Sequence, residues 1–156
     1  MFEQHLTLNS KDKDQKYGTS VSYLDYVLEN QIKRIKPQQI VDFGAGGGKN
    51  GLIARQLLNK DVHLIAVESF ENTVSALTAQ NTYNKVYHSL IQDWVGFQEP
   101  NQLDLAIFGD VLEHLKHREI HMVLKLCIRK FKNIIIVCPL YDIFQGEVYG
   151  NPLETH

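Results

Sequence analysis

The stretch Val41-Asp42-Phe43-Gly44-Ala45-Gly46-Gly47-Gly48 sets an acid directly before a cluster of glycines. Without a Cβ, glycine lets the backbone turn sharply and lets a ligand approach the amides closely. An acid beside such a turn favours a cationic ligand and repels a pyrophosphate. A phosphate loop of the G-x-x-x-x-G-K-[ST] type does not fit. Lys49 is followed by Asn50, so the magnesium-binding hydroxyl is missing, and Phe43 stands where the first glycine belongs. A dinucleotide fingerprint stays open. Gly46-Gly47-Gly48-Lys49-Asn50-Gly51 satisfies G-x-G-x-x-G, and Glu68 follows at the distance of a ribose-binding acid. Its register is offset, because loop residues precede its first glycine.

Three more segments carry candidate chemistry. Glu68-Ser69-Phe70 and Gln92-Asp93-Trp94 each combine an acid with an aromatic ring. Phe108-Gly109-Asp110-Val111-Leu112-Glu113-His114-Leu115 combines two acids and a histidine after an apolar run. Asp110, Glu113, His114 and His117 gather near one junction, with His156 in the tail. Hard carboxylates with imidazole suit magnesium, manganese or zinc. The same residues also serve as turn and cap residues, and the reading assigns no metal.

Taken in order, these segments resemble the class I S-adenosylmethionine-dependent methyltransferases. The first motif of that family is an acid before G-x-G-x-G, as in Asp42-Phe43-Gly44-Ala45-Gly46-Gly47-Gly48. Asp110-Val111-Leu112-Glu113-His114-Leu115 is similar to the family's motif after the fourth strand. The resemblance covers roughly residues 39 to 138. It implies that S-adenosylmethionine is bound, with S-adenosylhomocysteine as the product. Asp42, Gly44, Ala45, Gly46 and Gly48 would take the methionine end, and Glu68 the ribose hydroxyls. Ser69, Phe70, Gln92, Asp93 and Trp94 would surround the adenine, and Gly109 and Asp110 would line the transfer site. His114 is the candidate general base for a hydroxyl acceptor. Class I enzymes usually carry two more strands after the fifth, and this sequence is read as ending before them.

The elements that must hold these residues are legible from periodicity. Uniformly apolar runs at 39–43, 62–67, 86–90, 103–108 and 134–138 read as buried strands. Helical spacing marks residues 51–59, 71–80 and 116–130. Alternation of the two predicts a three-layer α/β/α, Rossmann-like, doubly wound parallel sheet of order 3-2-1-4-5. Ahead of it, Val21, Leu24, Leu28, Ile32 and Ile35 form one helical face with Ser20 as N-cap and Pro37 as stop. The single domain thus divides into a flexible arm (1–16), a lid helix over the cofactor (17–36), the cofactor-binding core (39–138) and a substrate-side loop (139–156).

Composition narrows the partners. The chain has 156 residues and a formal net charge of -2, which disfavours a dedicated nucleic-acid binder. The expected acceptor is a small molecule rather than nucleic acid. Cys127 and Cys138 are read as a reduced, buried pair. No apolar run reaches membrane-span length and the first ten residues lack a signal pattern, so the expected compartment is the cytoplasm. An unpaired fifth strand invites a homodimer through the sheet edge. A non-catalytic binding or assembly domain of the same fold, and an NAD-dependent oxidoreductase, remain the alternatives.

Overall fold

The computed structural model describes residues 24–97, 102–139 and 150–152. Five strands form one parallel sheet of order β3-β2-β1-β4-β5, as expected. They are β1 (Gln39–Phe43), β2 (His63–Glu68), β3 (Lys85–His88), β4 (Leu103–Gly109) and β5 (Phe131–Val137). The helices are α1 (Asp25–Ile35), α2 (Lys49–Leu57), α3 (Glu71–Gln80), α4 (Ile91–Phe97) and α5 (His117–Lys130). β1 lies at the centre, pairing Asp42 with Ala66 on one side and with Ile107 on the other. β2 and β3 lie on one side of it and β4 and β5 on the other, so the strand order reverses between β1 and β4, where such sheets place ligands.

Two apolar clusters sandwich the sheet. On one face, Ile40, Leu64, Ala66, Leu105 and Ile107 pack under Leu28 and Ile32 of α1 and Ala54 of α2. On the other, Val41, Phe43, Ala106 and Phe108 pack against Trp94 and Val95 of α4 and Val123 and Cys127 of α5. Phe43 stacks on Phe108 at 4.8 Å and meets Trp94 edge-on at 5.4 Å. Alternate residues of each strand feed the two clusters, as strands buried on both faces require.

Several boundaries depart from the sequence reading. α2 starts at Lys49, two residues early, because Gly48 (φ 82°) already turns the chain into its N-cap. α4 went unread: its seven residues are too short to show a period, yet Ile91, Trp94 and Val95 bury one face. His114 does not open the long helix. It ends a single 3-10 turn, Leu112–His114, and α5 begins at His117, where the Glu119 carboxylate accepts the Lys116 N–H at 2.9 Å. β5 begins at Phe131, which is buried, three residues earlier than the apolar run. Cys127 is buried but Cys138 is exposed, so the thiols are not a buried pair. Residues 1–16, Ser20, most of the 139–156 loop and His156 lie outside the described residues.

Candidate active site

The carboxyl ends of the five strands make one rim, laced by backbone hydrogen bonds. Gly44 N–H donates to Val67 C=O at 2.9 Å, Ser89 N–H to Glu68 C=O at 2.9 Å, and Asp110 N–H to Val137 C=O at 2.9 Å. The glycine loop, Glu68-Ser69-Phe70 and Gly109-Asp110 therefore come together at one end of the sheet. A cavity of about 500 Å³ lies elsewhere, at the amino end, lined by Pro37, Leu57, Leu58 and Val62 among others.

The loop itself is left-handed at three glycines: Gly44 (φ 64°), Gly46 (φ 51°) and Gly48 (φ 82°). Each would strain a residue with a side chain. Their missing Cβ positions are not all open to a ligand. A Cβ on Gly44 would run into Val111, and one on Gly48 into Gln80 and Leu77. One on Gly51, inside α2, would collide with the ring of Tyr83. The first contact ties the loop to the segment after β4; the others tie it to α3 and the α3–β3 connection. Gln80 also donates its side-chain N–H to Gly47 C=O at 3.2 Å.

Asp42 sits behind the loop at 1% exposure. Its Oδ2 accepts the Tyr83 hydroxyl at 2.6 Å and its Oδ1 accepts the Asn50 amide at 3.2 Å. Burial raises its pKa to about 6; the bonds from Tyr83 and Asn50 pull against that rise, and the charge of Glu68 adds to it. Burial, then the neighbouring Asp42, pushes the Tyr83 phenol well above its ordinary value. Asp42 is thus turned inward, toward Tyr83 and Asn50.

Glu68, 7% exposed, braces the loop from the other side. Its Oε2 accepts Gly46 N–H at 2.9 Å, and its Oε1 accepts the N–H groups of Ser69 at 2.8 Å and Phe70 at 2.9 Å. Ser69 C=O faces the His88 ring nitrogen at 3.0 Å. Across the rim, Asp110 adopts φ 48°, a left-handed conformation that aspartate tolerates better than most residues. Gly109 is buried at the end of β4.

The third segment divides. Asp93 is exposed, Gln92 is half-buried, and Trp94 is 4% exposed with its ring between Phe43 and Tyr87. Trp94 is therefore part of the core under the rim. Among the described residues, the buried Gln92 side-chain oxygen of α4 has no hydrogen-bond partner, so it is an acceptor in reserve. Among the described residues, no group of three His, Cys, Asp or Glu side chains comes together in a metal-holding arrangement.

Tyr83, Asn50 and Val111 were not singled out in the sequence. Each meets the loop only through the fold: Tyr83 lies 41 residues from Asp42. Asn50 was visible only as the residue that breaks the phosphate-loop pattern.

Comparison with solved structures identifies the architecture. The chain is similar to a SAM-dependent methyltransferase from Archaeoglobus fulgidus (18% identity, TM-score 0.56), covering 73% of this chain and 52% of that one. It is similar to a putative O-methyltransferase from Klebsiella pneumoniae (13% identity, TM-score 0.57), covering 73% and 53%. It also resembles the plantazolicin methyltransferase BpumL in complex with SAH (17% identity, TM-score 0.60), covering 73% and 46%. The chain spans about half the length of these proteins. No family model and no curated protein sequence matches it. The fold is that of the class I S-adenosylmethionine-dependent methyltransferases.

Proposed function

We propose that the chain binds S-adenosylmethionine and transfers its methyl group to a small-molecule acceptor. The observation that carries this reading is the pair of acids on the glycine loop. Asp42 lies behind it and Glu68 is bonded to its Gly46 amide. Two carboxylates suit an ammonium and a sulfonium and oppose a pyrophosphate, which weighs against NAD despite the G-x-G-x-x-G string.

The residues present fit such a cofactor in other respects. Gly44, Ala45, Gly46 and Gly48 would hold the methionine end at the mouth of the switch point, and Glu68 the ribose. Phe70 with Ser69 would border the adenine, and the unpartnered Gln92 oxygen offers an acceptor to an amino group. The bound cofactor supplies an activated methyl on sulfur, so the protein's work is alignment and exclusion of water. Gly109 and Asp110 would shape the transfer site, and His114, on the 3-10 turn beside them, would take a proton where the acceptor is a hydroxyl. α1 would close one side of the site as a lid. Asp25, its first residue, pairs with Lys49 at the start of α2 at 2.7 Å. A homodimer through the β5 edge finds support in exposed Ile136 (42%) and in Ile128 (70%) of the adjoining α5. Among the described residues, no helix is long and apolar enough to cross a membrane.

A second reading, a binding or assembly domain of this fold without activity, is favoured by one observation. The spaces at Gly44, Gly48 and Gly51 are filled by the protein's own side chains, so those glycines have a packing reason to exist. Titration calorimetry with S-adenosylhomocysteine, with NAD as control, separates the readings. Micromolar binding of the first alone is expected. Binding of neither supports the second reading, and binding of NAD alone overturns the choice of cofactor.

A further inference from the structure

We propose that Tyr83 is a positioning residue for cofactor binding: its hydroxyl, held between the Gly51 amide and the Asp42 carboxylate, keeps a fixed negative charge behind the glycine loop. The inference rests on the proposed binding of S-adenosylmethionine and adds a residue that no motif marks.

The geometry begins with the end of α3. Asn81 (φ 56°) caps that helix in a left-handed turn, and the chain returns beneath α2 through Thr82 and Tyr83, both buried. Arg55 fixes this return by donating to Thr82 C=O at 3.1 Å and to the Asn84 side chain at 2.8 Å. The Tyr83 ring then fills the space left by the absent Cβ of Gly51. Its hydroxyl accepts Gly51 N–H at 3.2 Å and donates to Asp42 at 2.6 Å.

Gly51 is the third residue of α2, so its amide is one of the orphan donors of a helix start. Tyr83 passes the pull of that amide to a carboxylate that is 1% exposed. A hydroxyl that both accepts and donates polarises along the chain of bonds. Among the groups facing Asp42, the charge of Glu68 on β2 opposes its ionisation, while the Tyr83 hydroxyl, the Asn50 amide and the Gly51 backbone amide of α2 favour it. Tyr83 is thus the strongest partner holding the charge in place. The same contact sets the seat of α2 against the α3–β3 connection, and so the pitch of the loop that feeds α2.

The test compares wild type with Tyr83→Phe, measuring calorimetric affinity for S-adenosylmethionine and S-adenosylhomocysteine from pH 5.5 to 8.5. Losing one hydrogen bond to a buried charge raises the midpoint of Asp42, about 6 in the wild type, by about one pH unit. The variant should then bind S-adenosylmethionine about fivefold more weakly at pH 6 and about twofold at pH 7, converging with wild type above pH 8. The uncharged thioether of the product should show a smaller pH effect. A loss that is uniform over pH, or no loss, overturns the proposal. Should Tyr83→Phe fail to fold, Asp42→Asn in the same series should abolish the pH dependence; an unchanged profile overturns the proposal equally. If wild type binds neither compound, the proposed function fails by itself. Carbon-detected titration of the Asp42 carboxyl in the free proteins then decides the Tyr83 contact: a raised midpoint in Tyr83→Phe supports it and an unmoved one overturns it.

Discussion

Replacing Gly44 with alanine separates two reasons for a glycine at that position. The backbone there has φ 64°, and an L-residue with a Cβ costs about 1–2 kcal/mol in that region. The new methyl would also overlap Val111, whose Cβ lies 2.8 Å from where it would stand. Overpacking of a tight contact costs about 1–3 kcal/mol. A small entropic gain from restricting the unfolded chain, about 0.4–1 kcal/mol, offsets part of this. The expected net loss is about 2–4 kcal/mol, measured by urea denaturation without ligand. Val111→Ala removes the methyl nearest the clash and by itself costs about 1–2 kcal/mol. In the double variant only part of the steric cost is relieved, because the Cβ of residue 111 still stands 2.8 Å from the new methyl, and the left-handed backbone cost stays, so a favourable coupling of about 1 kcal/mol is expected. If the two changes simply add, within about 0.5 kcal/mol, Val111 does not occupy that space and the glycine is there for a ligand.

Four other outcomes follow from the same contacts. Asp42 titrates higher in the folded protein than its ordinary value of 3.8, so its contribution to stability is full below pH 3.8 and is lost as pH rises through about 6. Asp42→Asn should therefore gain on wild type across that window, by at most about 3 kcal/mol; urea midpoints at pH 4.5, 5.5 and 7.5 check it, and a constant difference refutes it. Glu68→Gln puts a donor against the backbone amides it now accepts, and should cost about 1–3 kcal/mol of stability even without cofactor. Arg55→Ala leaves the carbonyls of Val62 and Thr82 without their donor and should cost about 2–3 kcal/mol, with Arg55→Lys failing to restore it because only the guanidinium fork reaches both. Iodoacetamide on the native protein should add one group, at exposed Cys138, because the Cys127 thiol is buried and pushed up to about 12; a second adduct before unfolding contradicts the packing around Val123 and Phe131.

The sheet was readable because its strands are uniformly apolar, a pattern that only burial on both faces produces. The ends were less so. Lys132 and Asn133 look polar, yet Lys132 reaches back to pair with Asp104 at 2.7 Å and Asn133 donates to Asp104 C=O, so β5 includes both. Asp104 itself, at the amino end of β4, belongs to no motif that marks it in the sequence. There the Lys132 ammonium holds its carboxyl below the usual range while it accepts two amides leading into β1. At the site, residue types and order were legible, and orientation was not. Asp42 had the right type for a cationic ligand, but its partners Tyr83 and Asn50 turn it inward, and such long-range pairing leaves no local signature. Trp94 matched the expected aromatic position, yet a helix too short to show periodicity rotates its ring into the core.

The bracing of Glu68 has a consequence for what it can still hold. An ionised carboxylate offers about four lone-pair sites, two on each oxygen. Ser69 and Phe70 fill both on Oε1, and Gly46 takes one on Oε2. Among the described residues one vacancy remains, enough for a single hydroxyl. A sugar diol that engaged Glu68 with both hydroxyls would have to displace one of these three amides, Gly46 from Oε2 or Ser69 or Phe70 from Oε1. Occupancy of the sugar position and the tension of the glycine loop are in this way drawn from the same small stock of electron pairs.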